Sequence, residues 1–397
     1  MKKLFAAGCL LIFCCGLFTS SLAQDAPTIT ISKSGGRIDL SVNALTGADG
    51  AAATKTLNDD LTAAGVFQLV PSGGAAGYTV RGSAAGGSIQ GQLVDRGGAA
   101  MLSKTYSGGS RTAAHAFADD IVLALTKHRG IASAKVAFIA TKSGHKEVYL
   151  CDADGSGLRQ LTNDANISVG PALSPDGRRL AYTGYKSGYA DVYLIDLASG
   201  ARERIVKFPG TNTGAAFSPD GNRLALTCSR DGNPELYVTD AHGGGARRLT
   251  HTRGSESSPT WSPDGGEIIY TSDDGGAPQL YRISAGGGSG QRLGAGFGWC
   301  TEPNWSPDGA RLAFNVRAGG GFAVAVLDLG GGFSGGGGGS AHVVSGGGNA
   351  ESPKWGADSR HLVYSDGETI WLLDTVSGQK RRVAGGLGRV SEPTMSR

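Results

Sequence analysis

An all-β six-bladed β-propeller, preceded by a small N-terminal α/β domain and closed by its own C-terminal strand, is the fold class that the 397-residue sequence predicts. Three observations predict it. A five-residue signature returns at a fixed interval, short β-rich runs fill each interval, and a strand without a partner is left over at each end of the repeating region.

The signature reads Leu173-Ser174-Pro175-Asp176-Gly177, then Phe217-Ser218-Pro219-Asp220-Gly221, Trp261-Ser262-Pro263-Asp264-Gly265 and Trp305-Ser306-Pro307-Asp308-Gly309, spaced by 44 residues. A decayed copy, Trp355-Gly356-Ala357-Asp358-Ser359, follows after 50 residues, and Pro393-Thr394-Met395-Ser396 begins a sixth. A period in the forties with several strands per unit belongs to a propeller blade, not a helical solenoid. Pro presets the first central position of a type I turn, Asp suits the second, and Gly takes the conformation that starts the next strand, so the motif reads as a hairpin rather than as chemistry.

Each turn leads into a β-rich strand B, at 180–184, 224–228, 268–272, 312–316 and 362–366. A polar, Gly-rich break leads to strand C, as in Val192-Tyr193-Leu194-Ile195-Asp196, and a short basic run such as Arg247-Arg248-Leu249-Thr250 makes strand D. Strand A is the apolar stretch entering the next turn. The runs 136–140, 148–152 and 159–162 supply B, C and D of a first blade that has no strand A, while 393–396 is a strand A with no blade. Pairing them removes two open sheet edges at once.

Ahead of the repeats, 1–23 carries two lysines, an apolar run and Ser21-Leu22-Ala23 at a cleavage-like site, which reads as a signal peptide and not as a membrane anchor. Residues 24–133 form the α/β domain: alternating Ile38, Leu40 and Val42, a helix over 51–64, strands at 67–70, 78–82, 89–95 and 101–106, and a second helix capped by Thr112 and stopped by Gly130. Residues 134–397 are the propeller. Within the first domain, 24–34 is a flexible segment whose Thr28, Ile29, Thr30, Ile31 and Ser32 alternate like a half-exposed strand.

Composition excludes several functions. The formal charge is +3, or +1 once Lys2 and Lys3 leave with the signal, which gives no reason to invoke nucleic acid or membrane insertion. Glycine is high, at 67 residues, and the tract 330–340 reads as a disordered C–D connection. Beyond the signal only Cys151, Cys228 and Cys300 remain, an odd number suited to burial rather than to a disulfide framework. No histidine or cysteine spacing marks a metal or cofactor site. Asp152-Ala153-Asp154-Gly155 resembles the start of a calcium loop but lacks the closing Glu, so it reads as a C–D turn. Gly332-Phe333-Ser334-Gly335-Gly336 matches a nucleophile elbow only by chance in a glycine tract. No catalytic residue is assigned.

What remains is a ring with a funnel. Residues just ahead of each strand A are expected to ring its mouth: Val169-Gly170, Thr213-Gly214, Ser257-Ser258, Thr301-Glu302, Glu351-Ser352 and Ser391-Glu392. Such a polar, concave rim suits a protein loop or a peptide.

The chain resembles the TolB family of periplasmic propellers of the bacterial Tol-Pal system. The resemblance rests on 59–67, on 90–95, on the helix with His115-Ala116-Phe117-Ala118-Asp119 leading to Val136-Ala137-Phe138-Ile139, and on the Ser-Pro-Asp-Gly blades that follow. It implies a monomeric, non-enzymatic periplasmic adaptor without cofactors. Its implied partners are the lipoprotein Pal at the mouth and TolA at the N-terminal segment, in support of outer-membrane integrity, cell division and bacteriocin import. Carried over by position, Thr211, Gly214 and Ser257 fall at family contacts with Pal; a histidine is usual at the first and a threonine at the last. Thr213, Ser258, Thr301 and Glu302 complete the expected rim. The alternatives are a glycan-binding or small-ligand propeller and a peptidase-associated propeller.

Overall fold

The computed structural model describes residues 36–330, 341–346 and 348–396. The expected signal peptide at 1–23, the segment 24–34, the glycine tract from 331 and the elbow-like Gly332–Gly336 lie outside the described residues. Ile38–Arg397 forms one compact unit. Among the described residues it holds two helices, one five-stranded sheet and six four-stranded sheets.

The α/β part is built from β1 (Ile38–Val42), α1 (Gly50–Ala63), β2 (Phe67–Val70), β3 (Tyr78–Ala85), β4 (Ser88–Asp95), β5 (Ala100–Tyr106) and α2 (Ser110–Thr126). The sheet order is β2-β1-β3-β4-β5, with β1 parallel to both neighbours and the rest antiparallel. Leu57 and Leu61 of α1 and Phe117, Ile121 and Leu125 of α2 bury against Leu40, Val80, Ile89 and Leu93 of the sheet. Each such side chain contributes about 1.5–3 kcal/mol. Gly91 lets the Phe117 ring lie on the sheet, since a Cβ there would stand 2.6 Å from the ring.

The ends of α2 differ from the expected ones. The chain enters through Gly108 and Gly109, at φ 107° and 99°, so the helix begins at Ser110 and Thr112 sits inside its first turn. It ends at Thr126 because Lys127 is left-handed (φ 65°), before Gly130 is reached.

The six remaining sheets are the blades. Blade 1 takes strand A, Val390–Met395, from the far end of the chain and pairs it with Lys135–Ala140, followed by Glu147–Asp152 and Arg159–Gln160. Blade 2 (168–206), blade 3 (212–248), blade 4 (256–292), blade 5 (300–343) and blade 6 (351–385) are each four-stranded meanders. The three-plus-one closure expected from the strand count is therefore present. Apolar clusters fill the space between neighbouring blades, as where Ile139 and Val148 of blade 1 meet Leu180 and Tyr182 of blade 2. Cys151, Cys228 and Cys300 are free and buried, and burial raises all three thiols, Cys151 to about 12 and Cys300 to about 11.

The Ser-Pro-Asp-Gly stretches are turns. Ser174 Oγ donates to Asp176 Oδ1 at 2.5 Å and accepts from the Arg179 amide at 2.9 Å, while Gly177 sits at φ 66°. The same serine–aspartate bond recurs at Ser218, Ser262 and Ser306. That bond holds Asp176, Asp220 and Asp264 below the usual carboxylate range. These acids are consumed by the turn and are not available for chemistry.

Candidate functional site: the propeller mouth

The residues expected just ahead of each strand A lie inside it. Strand A begins earlier than the sequence suggests, at Ser168, Asn212, Glu256, Cys300, Glu351 and Val390, and each pairing with strand B is interrupted by a register shift. At the shift stands a left-handed residue: Gly170 (φ 58°), Gly214 (64°), Ser258 (52°), Glu302 (53°), Ser352 (58°) and Glu392 (53°). A regular strand sends successive side chains to opposite faces; a bulge breaks the alternation. Two consecutive residues accordingly line the funnel in most blades, as at Val169-Gly170, Thr213-Gly214, Ser257-Ser258 and Ser391-Glu392.

Non-glycine residues at positive φ cost about 1–3 kcal/mol each and persist where the surroundings over-determine them. Four of the six positions here are non-glycine, and all face one cavity of about 860 Å³. The neighbouring blades hold them in place. Gly170 N donates to Glu392 Oε2 at 2.5 Å, Glu302 N to Thr271 Oγ1 at 3.2 Å, and Asn315 bridges Glu302 Oε2 (2.9 Å) to the Ser352 amide (3.1 Å).

The ring is chemically lopsided. Blades 5, 6 and 1 bring Glu302, Glu351 and Glu392, answered by Lys354, Arg389 and Lys146, whereas blades 2 to 4 bring Gly170, Gly214, Ser257 and Ser258. Burial, then the Glu302 charge, raises the carboxyl of Glu351, and burial raises that of Glu392. A Cβ on Gly214 would meet nothing within 4 Å, so this side of the mouth is open.

Thr213, Gly214, Ser257, Ser258 and Glu302 therefore stand together on the wall. Two expected residues stand apart. Thr211 is exposed ahead of the bulge, its amide and hydroxyl on Ser229 Oγ at 2.9 and 3.0 Å. Thr301 is half-buried opposite Asn315, and Glu302 and Asn304 make the wall in that blade. Glu351, Glu392, Lys354 and Arg389 carry the charge of the mouth. The signal for the bulge was in the repeat: aligned on the motif serine, the position four residues earlier is Gly in two blades and a polar residue before Pro in others.

A search of protein families matches residues 122–397 to the TolB beta propeller domain. The chain belongs to the TolB propeller family. A TolB homolog from Chlorobium luteolum is 34% identical over 215 residues, 45% of this chain and 49% of that protein. The Tol-Pal system protein TolB of Geobacter metallireducens is 40% identical over 120 residues, 30% of this chain and 27% of that one. The chain thus spans about half the length, or less, of these curated relatives. The crystal structure of TolB from Acinetobacter baumannii superposes with a TM-score of 0.76 at 25% identity, covering 91% of this chain and 97% of that one. Among the described residues no helix is long and apolar enough to cross a membrane.

Proposed function

We propose that this TolB-family chain is a periplasmic adaptor of the Tol-Pal system, which seats a loop of the lipoprotein Pal in the propeller mouth and offers the segment 24–34 to TolA. What supports the first half is the mouth itself: six left-handed bulge residues that turn polar groups and backbone toward one concave space, half of it acidic and half of it bare. Such a surface gains most of its binding from a few central contacts, with the periphery excluding water. What supports the second half is the alternation of Thr28, Ile29, Thr30, Ile31 and Ser32, which suits addition to the edge of a partner's sheet. Relatives of the chain are named as Tol-Pal system proteins, and binding to Pal and to TolA is the test.

Gly214→Lys places a bulky cation in open space at a position where blade 5 already carries Glu302, so the ring should hold while Pal binding weakens by about 2 kcal/mol or more, a hot-spot loss. Calorimetry showing unchanged affinity for Gly214→Lys and for Ser257→Lys moves the site away from the mouth. A sugar-dependent thermal shift with no Pal binding would instead favour a glycan-binding propeller. Deleting 24–33 should abolish TolA binding and leave the melting temperature of the ring in place.

A further inference from the structure

We propose that the junction between α2 and blade 1 holds a divalent cation of the zinc class, ligated by His115 Nε2 and by the carboxylates of Asp152 and Asp154. His115 lies far from the two aspartates in the chain, on a helix facing a blade turn, so no spacing in the sequence marks the three together. The fold brings one ligand atom of each within 4.8 Å of the others. His115 Nε2 stands 3.9 Å from Asp154 Oδ2.

His115 is the decisive residue. It is only 4% exposed, and its Nε2 has no hydrogen-bond partner among the described residues. Its Nδ1 lies 2.7 Å from Oδ2 of Asp60, another buried side chain. A carboxylate beside Nδ1 accepts a hydrogen bond from Nδ1–H, which keeps the ring proton on Nδ1 and leaves the Nε2 lone pair free, the arrangement by which an outer carboxylate orients a metal-binding imidazole. An unpartnered buried acceptor destabilises the fold, and a cation on it removes that penalty.

Zinc accepts imidazole nitrogen and carboxylate oxygen at about 2.0–2.2 Å in tetrahedral geometry, so ligand atoms sit a little over 3 Å apart and the three here need to close by at most about 1.5 Å. Asp152 and Asp154 lie at the C–D turn of blade 1, where Ser156 Oγ donates to Asp152 Oδ2 (3.2 Å) and the Ser156 amide to Asp154 Oδ1 (3.0 Å). Arg111 pairs with Asp154 Oδ2, and Lys135 with Asp152 Oδ1. Both cationic side chains are nearly half exposed, at 46% and 44%, and can turn to solvent when a doubly charged ion takes their place. Three protein ligands leave a fourth position to water. The ion would tie the α/β part to the first blade.

The test uses the untagged full chain, stripped with a chelator and titrated with zinc chloride by calorimetry, with cobalt(II) as a spectroscopic substitute. The expected result is one equivalent bound, a tetrahedral cobalt spectrum and a higher melting temperature with zinc. Asp154→Asn and His115→Ala should each weaken binding at least tenfold, while Arg111→Ala, which frees Asp154, should strengthen it; the exposed His242→Ala is the control. No stoichiometric binding, or binding that Asp154→Asn leaves unchanged or Arg111→Ala fails to strengthen, overturns the site. Should His115→Ala not fold, those two variants decide.

Discussion

In most of the Ser-Pro-Asp-Gly turns, the residue five after the serine is an arginine that works in the next blade. Arg179 Nη2 donates to the Gly221 carbonyl at 2.8 Å with its guanidinium 5.4 Å from the Phe217 ring, and Arg223 repeats this with Gly265 at 3.1 Å and Trp261 at 4.6 Å. Blade 4 carries Glu267 instead, 3.6 Å from Arg282, and the Gly309 carbonyl it leaves behind accepts from Trp305 Nε1 at 3.2 Å. Arg223→Ala should therefore destabilise the ring by about 1–3 kcal/mol, the sum of a hydrogen bond and a cation–π contact. Glu267→Ala should stay within about 1 kcal/mol, as expected of a solvent-facing pair. Urea midpoints for the two variants check the contrast. The aspartates of these turns were legible because their partners are two residues away; the arginines were not, because their partners lie one blade on.

A second prediction at this scale concerns Glu235 and Glu256, buried where blades 3 and 4 meet. Burial, and a hydrogen bond with Glu235, raise Glu256 to about 7. Burial would lift Glu235 as well, but bonds from Thr250, Glu256 and Arg248 outweigh it and hold that group low, so the pair keeps one proton and Glu256 carries it. The folded chain then retains a proton that the unfolded chain releases near its ordinary 4.5. Below that value both states are protonated; stability falls as the pH rises from about 4.5 to about 7, and then levels off. Melting temperatures measured across this range should lose that fall in Glu256→Gln. An unchanged slope would show that the proton sits elsewhere.

Strands B and C were readable to within a residue or two in most blades because they are continuous apolar runs buried on both faces, as at Arg223–Cys228 and Glu235–Asp240. Strand A was readable only in its second half. Its first half carries Gly, Ser, Glu and Pro, which signal a loop, and the bulge that makes those residues a strand depends on pairing that no local pattern records. Of the expected rim residues, Thr213, Gly214, Ser257, Ser258 and Glu302 line the mouth while Thr211 and Thr301 do not, and those on the wall lie within a strand rather than ahead of it. The glycine tract offers a test of how far one element tolerates its connection. Leu327 pairs with Ala341 on its far side, so the tract joins strand ends that are already held. Because closure cost varies slowly with length, cutting the tract to four residues should change stability by less than about 1 kcal/mol, read from denaturant midpoints. A larger loss would mean that it packs.

The architecture was legible at the scale of the whole molecule because a count of strands leaves one deficit and one surplus, and only one pairing cancels both. The junction with the α/β part was not, since Arg360 Nη2 reaches the Gly65 carbonyl at 3.0 Å and Arg111 pairs with Asp154 through contacts that no repeat foretells. Deleting 390–397 exposes an edge on Lys135–Ala140 and removes the Glu392 bond to Gly170, so the truncated chain should aggregate or melt much lower. Light scattering with a thermal melt is sufficient, and a soluble truncation that melts as before would show that the clasp is dispensable.

That clasp also sets an order of events. As the chain emerges from its N-terminus Lys135–Ala140 appears long before Val390–Met395, so the blade that starts first is finished last, and five complete blades wait beside it as an open arc. Long-range pairing of this kind is slow, because the loop must be closed before the contact rewards it. The same delay works as proofreading: a chain cut short between the sixth blade and residue 390 leaves the first blade with a bare edge on Lys135–Ala140, open to proteases and chaperones, and never closes as a ring.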